Sequence, residues 1–358
     1  MARPLPLVLA QVPSEPTGGL PGFAADVERR LRPHWPARPL VVYPELHLCG
    51  ARQPASGEAE PIDGPRDRVL SELAGDLGIW LVPGSVYEQG KDGRVYNAAP
   101  VYSPDGKRTA AYRKVFPWRP YEATAPGSEF VVFEIPGTGR VGVSICYDAW
   151  FPEVTRQLAW MGAELVLNLV LTPTGDRAQE VILCRANAIV NQVFVASVNA
   201  ASPTGVGRSL LADPQGVIRA QAAGAEEVTL TEVIDLDDVT NVRAYGTAAL
   251  NRMWSHFRPG DSPIELPLYQ GRIDPATWAG LAGPDLPLLR RSSVQEVVPG
   301  SRGYGYLSHS SGVRALRLHR QLRGRRHQPD PGPGVHHRRR RQTGVQRRLG
   351  AVPRCELA

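Results

Sequence analysis

An α/β fold is what the sequence predicts, on three observations. Short β-rich runs alternate with amphipathic runs over about the first 238 residues. No internal sequence period repeats among them, so the strands and helices interleave within one body. Two pairs of β-rich runs are joined by turn residues and read as hairpins inserted into that alternation. The chain of 358 residues is long enough for one large domain or two ordinary ones with a sizeable core.

Taken in order, "LPLVLAQV" reads as a strand and "GFAADVERRLRP" as a helix. "PLVVYPE" is a second strand, and "PRDRVLSELAGDLGI" a second helix with proline at its start. "WLVPGSVYE" follows. "VYNAAPVYSPDGKRTAAYRK" is a hairpin, because "SPDGK" between two alternating runs has turn chemistry. "FVVFEIPGTGRVGVSIC" reads as strand, turn and strand, and a helix is expected from about Pro152 to Gly162. "AELVLNLV", "DRAQEVILCRANAIVNQ" and "VFVASVNA" alternate strand, helix and strand. "SLLADPQGVIRAQA" bends at Asp213, Pro214 and Gly216, and "EVTLTEVID" closes the run. The expected organisation is a catalytic domain over residues 1–238, an extension over 239–300 and an arginine-rich tail over 301–358.

Hydrophobic residues make up 42% of the chain and charged ones 21%, as in a globular protein of aqueous compartments. No apolar run approaches the roughly 18–20 residues that span a bilayer. "PLPLVLA" is too short for a secretory apolar region, so a cytoplasmic, membrane-free protein is expected. Cys49, Cys146, Cys184 and Cys355 have neither disulfide nor zinc spacing and are expected to be reduced.

The net charge of +6 is misleading, because 14 of the 41 basic residues lie beyond residue 300 against only Asp330 and Glu356. The first 300 residues carry 27 basic and 33 acidic groups, a mildly acidic body with no electrostatic case for nucleic acid. The tail also holds five of the eight histidines and no lysine, isoleucine, phenylalanine or tryptophan. Disorder is its default. It reads either as a basic arm for an anionic partner or, preferably, as out-of-frame translation of GC-rich coding sequence.

The chemistry-bearing segment is "GVSICYDAWFPE", Gly142 to Glu153, where a cysteine stands at the exit of an apolar strand. A thiol attacks a carbonyl only as thiolate, so it needs a base, a positive field and donors for the developing oxyanion. Ligands in α/β proteins bind at the carboxyl ends of strands. Two residues stand there. Glu45 ends "PLVVYPE", and an apolar strand that delivers a carboxylate must solvate or employ it. Lys114 ends "TAAYRK"; it is one of three lysines beside 38 arginines, and the other two lie in polar turns. "GVSIC" resembles a serine elbow with Ser144 as nucleophile, but Cys146 replaces its second glycine. A papain-like pair would need His34, His47 or His256, none of which has a supporting motif.

"VVYPE", "YRKVFPW" and "GVSICYDAWFPE", in that order, resemble the nitrilase superfamily of carbon–nitrogen hydrolases over roughly residues 4–235. The resemblance implies an αββα sandwich and a cofactor-free thiol amidase with no metal, acting on a small-molecule amide, as a homodimer or larger. It assigns Glu45 as general base, Cys146 as nucleophile, Lys114 as oxyanion stabiliser and the Tyr147 backbone N–H as second donor. Glu122 is similar to the second glutamate of aliphatic amidases and formamidases, and the lesser alternative for it is a cap or a partner for Arg119. Trp118, Tyr147, Trp150 and Phe151 are expected either to wall an acyl pocket or to pack in the core. Asp148 reads as structural. Nitrilase and N-carbamoyl amide hydrolase activities are the enzymatic alternatives, and a catalytically silent binding protein working through its basic tail is the other class.

Overall fold

A computed structural model describes residues 2–14, 18–31, 38–49, 59–256 and 260–262. The expected tail, most of the extension, His34 and Cys355 lie outside the described residues.

The runs read from the sequence as strands and helices form them. They begin with β1 (Pro4–Gln11), α1 (Gly19–Leu31), β2 (Leu40–Val42), α2 (Pro65–Leu77), β3 (Trp80–Val82) and β4 (Val86–Gln89). Two hairpins follow, β5 (Val95–Ser103) with β6 (Lys107–Arg113), and β7 (Val131–Ile135) with β8 (Gly139–Ile145). Then come α3 (Pro152–Trp160), β9 (Leu165–Val170), α4 (Arg177–Asn191) and β10 (Phe194–Asn199). The last are β11 (Leu210–Ala212), β12 (Ile218–Gln221), β13 (Val228–Asp235) and α5 (Asp237–Tyr245). Local chemistry sets several boundaries. Pro65 opens α2, where its missing N–H costs nothing, and Gly78 closes it in the left-handed region at φ 64°. Gly106, at φ 71°, turns β5 into β6 and donates its N–H to Ser103 O at 3.0 Å.

The strands form two sheets. One has the order β13-β1-β2-β3-β5-β4, with β6 added to β5; the other is β12-β11-β10-β9-β8-β7. Each contains a parallel trio, β1-β2-β3 and β8-β9-β10, flanked by antiparallel strands. The sheets face one another. Leu5, Leu7 and Leu9 of β1 point into the core between them, where Val141, Val143 and Ile145 of β8 and Leu165, Leu167 and Leu169 of β9 meet them. The alternate residues Val8 and Ala10 pack outward with Phe23 and Val27 of α1 and Leu70 of α2. On the far side Val166 and Val195 pack against Val154 and Leu158 of α3 and Val181 of α4. The result is four layers, αββα. It explains why the central strands are apolar on both faces, since each sheet is covered twice. Helix α5 crosses position 238 and places Val239 in the central core.

Candidate active site

Strand β8 ends at Ile145, and Cys146 follows in the left-handed region at φ 47°, opening a 3-10 turn over Cys146–Trp150. A non-glycine residue in this conformation costs about 1–2 kcal/mol and persists only where its surroundings enforce it. Asp148 supplies the enforcement. Its carboxyl accepts from the N–H of Ile145 at 2.9 Å, the N–H of Phe116 at 2.9 Å and the hydroxyl of Tyr112 at 2.7 Å. The turn is thereby tied to the exit of β6. Burial pushes the Asp148 carboxyl up to about 6, against the opposing pull of Lys114 and these hydrogen bonds.

Lys114 leaves the end of β6 fully buried, and Glu45, three residues beyond β2, is 2% exposed. The Lys114 Nζ donates to Glu45 Oε1 at 2.9 Å and to Glu122 Oε1 at 2.6 Å. Glu45 is also held by Asn97 Nδ2 at 2.8 Å and by the Leu171 N–H at 3.1 Å. Burial raises the Glu45 carboxyl above its ordinary value, while Lys114 and a hydrogen bond with Cys146 act against that rise. For Lys114 burial acts downward, but Glu45, Cys146 and Glu122 outweigh it and keep the ammonium protonated beyond its usual range. Burial, then Glu45, raise the Cys146 thiol well above its ordinary value, so the resting sulfur carries its proton. A neutral thiol thus faces an acceptor and a fixed cation.

Glu45, Lys114 and Cys146, expected at the carboxyl ends of strands, come from facing sheets. The glutamate and lysine belong to one sheet and the cysteine to the other. Glu45 and Cys146 line a cavity of about 230 Å³ at the carboxyl ends of β2, β8 and β9, and Lys114 lies buried behind its wall, between Glu45 and Glu122. Trp118, Tyr147 and Trp150 line it with Glu122. Phe151 instead stacks on Phe116, ring centroids 3.7 Å apart. Glu122, for which Arg119 was a candidate partner, pairs with Lys114 and accepts from the Trp118 N–H at 3.0 Å.

Sequence reading missed several residues of the cavity. Tyr87 and Tyr121 add to its aromatic wall, and Thr172 and Glu180 form a polar edge. The Thr172 hydroxyl stands 3.7 Å from the Cys146 sulfur and donates to Glu180 Oε1 at 2.9 Å. Arg177, 1% exposed, reaches Glu180 Oε2 at 3.1 Å. With its proton committed to Glu180, the hydroxyl offers the sulfur only lone pairs, which further disfavours a resting thiolate.

The other candidates lie elsewhere. His47 is buried, hydrogen-bonded to Pro13 O at 3.0 Å and stacked on Tyr43, and burial lowers it to about 4. Ser144 lies inside β8 and donates to Leu167 O at 3.0 Å. Cys184 is buried in α4, its thiol raised to about 12 by desolvation. Among the described residues no group of three or more His, Cys, Asp or Glu side chains is arranged to hold a metal. Nor is any helix there long and apolar enough to cross a membrane.

The family model described as carbon–nitrogen hydrolase matches residues 37–244, which contain every side chain of this cavity. The chain belongs to the carbon–nitrogen hydrolase family. This carbon–nitrogen hydrolase is 33% identical over 205 residues to the omega-amidase NIT2 of Homo sapiens, covering 52% of its own length and 72% of the relative's. Among solved structures it resembles Saccharomyces cerevisiae Nit3, a nitrilase superfamily member, with a TM-score of 0.61 and 26% identity over 68% of this chain and 94% of that one. It also resembles an amidase from Nesterenkonia sp., with a TM-score of 0.55 and 28% identity over 70% and 96% of the two chains.

Proposed function

We propose that this carbon–nitrogen hydrolase cleaves a small primary carboxamide to carboxylate and ammonia through a thioester on Cys146. The observation that carries the reading is the buried contact of Lys114 with Glu45 beside the Cys146 sulfur, at the floor of a cavity sized for a small acyl group.

In the first half-reaction Glu45 takes the thiol proton as the sulfur bonds to the amide carbon. The amide oxygen becomes an oxyanion, held by the Lys114 ammonium and the Tyr147 N–H at the start of the 3-10 turn. Glu45 then gives the proton to the leaving nitrogen, the C–N bond breaks, and ammonia departs. In the second half a water loses a proton to Glu45 and attacks the thioester carbon. The C–S bond breaks and the proton returns to sulfur. Glu122 keeps Lys114 aimed, and the aromatic side chains wall the acyl group. Because Lys114 is fixed before substrate arrives, its donor requires little reorganisation at the moment of reaction.

The reduced thiol this chemistry needs fits a cytoplasmic setting, and a homodimer or larger assembly remains part of the proposal, to be read by sedimentation. Ammonia release from formamide, short aliphatic amides, ω-amides, ureido acids and nitriles tests the reaction, with Cys146→Ala as control. Intact mass with a slow amide is expected to show an acyl adduct on Cys146. An adduct on another residue, or turnover of nitriles or ureido acids alone, would sink the reading.

A further inference from the structure

The lining of the cavity has a charge pattern that bears on which acyl groups fit. Four carboxyl side chains reach it: Glu45, Glu122, Asp176 and Glu180. Among the described residues no lysine, arginine or histidine side chain lines it. Two cations do sit behind the surface. Lys114 is wholly buried between Glu45 and Glu122. The Arg177 guanidinium, besides meeting Glu180, is taken up by Ser197 Oγ at 2.9 Å, Gly207 O at 3.1 Å and Arg208 O at 3.0 Å. Set against four carboxylates, these two leave a formal excess of two negative charges at the wall. Arg119 is exposed and outside the lining.

Two further features point the same way. Glu180 is 4% exposed, and its carboxylate faces the cavity as an acceptor near Thr172 and the sulfur. A substrate group arriving there meets an acceptor, so it must bring a donor. The remaining wall includes Tyr87, Trp118, Tyr121, Tyr147 and Trp150, whose ring faces attract cations and not anions. A carboxylate on the acyl chain would lose its hydration and find no cationic side chain on the described wall to offset that loss.

Resting on the amide-hydrolase reading above, we infer that the site selects acyl groups carrying a hydrogen-bond donor, an ammonium or a hydroxyl, directed at Glu180. Acyl groups that end in a carboxylate are rejected. The chain is similar to an omega-amidase, yet this wall disfavours the free carboxylate of an anionic ω-amide.

Two experiments on the full chain separate this inference from the reading beneath it. In the first, Cys146 is labelled with 2-aminoethyl methanethiosulfonate, which is cationic, and with 2-sulfonatoethyl methanethiosulfonate, which is anionic. Rates are read by mass on the Cys146 peptide and normalised to a free thiol at low salt. The cation is expected to react at least about tenfold faster, as in clefts lined by one sign of charge. Glu180→Gln should cut that preference severalfold. Asp176→Asn, at a half-exposed position, gives the same test should loss of the Arg177 partner unfold the first variant. Equal rates, or a faster anion, overturn the inference.

The second compares kcat/KM for 3-aminopropanamide, 3-hydroxypropanamide, butyramide and succinamate. The first two are expected to lead and succinamate to trail by at least about tenfold. Succinamate in the lead overturns the inference and leaves amide hydrolysis standing. Hydrolysis of none of them, with the labelling preference intact, overturns the amidase reading and leaves the charge pattern of the cavity standing.

Discussion

Lys114 Nζ lies 2.9 Å from Glu45 Oε1, with the lysine fully buried and the glutamate 2% exposed. Breaking a buried pair from one side leaves the other charge uncompensated, at a cost of about 3–5 kcal/mol. Lys114→Ala should therefore lose both stability and rate, the second by about 10²–10³ for one oxyanion donor. The double variant Glu45→Gln/Lys114→Met should regain much of the stability and none of the turnover. Urea midpoints and ammonia release on the same samples distinguish these outcomes.

The pH profile should carry the mark of Glu45. As a base it works ionised, and burial holds its carboxyl above the ordinary 4.5. Activity is expected to fall as pH drops through a value above 4.5, in kcat/KM for the free enzyme. An acid limb below 4.5 would remove Glu45 from that role.

Asp148 should write its own pH dependence on stability. Below 3.8 the folded and unfolded chains both hold its proton; between 3.8 and about 6 the folded chain alone does. Its contribution is thus complete at low pH and lost as pH rises through 6, about 3 kcal/mol in all. Urea midpoints between pH 4 and 7 should show wild type losing that much relative to Asp148→Asn. Parallel curves would contradict the buried carboxyl.

Asn97 donates to the Glu45 oxygen that Lys114 also contacts, at 2.8 Å. Asn97→Ala should leave the base less firmly aimed and lower kcat about tenfold, with KM little changed, the pattern of an interaction made in the transition state. A rise in KM at constant kcat would mean that Asn97 serves binding instead.

The residues legible in the sequence were those standing where an apolar run stops. Lys114 and Cys146 each follow a strand directly and Glu45 stands three residues past one, and a charged or nucleophilic group there is conspicuous. Asp148 could be read as structural because it follows the cysteine at turn spacing, although its three donors could not. Asn97 was hidden inside a hairpin strand, where one amide among apolar residues reads as a surface position. Arg177 and Glu180 gave no signal in the sequence, for a physical reason. At i,i+3 on an amphipathic helix they look like a solvated pair, yet β10 and the loop after Ala200 close over them and leave them 1% and 4% exposed. Pairing across the sandwich was equally hidden, because strand order within a sheet does not appear in local sequence.

That Glu45 and Lys114 ride on one sheet while Cys146 rides on the other has a kinetic corollary. Neither half of the molecule owns a working centre, so a collapsed chain with both sheets formed but not yet docked is chemically silent. Turnover regained during refolding therefore times the final closure of the two halves, and should lag behind the recovery of far-ultraviolet dichroism.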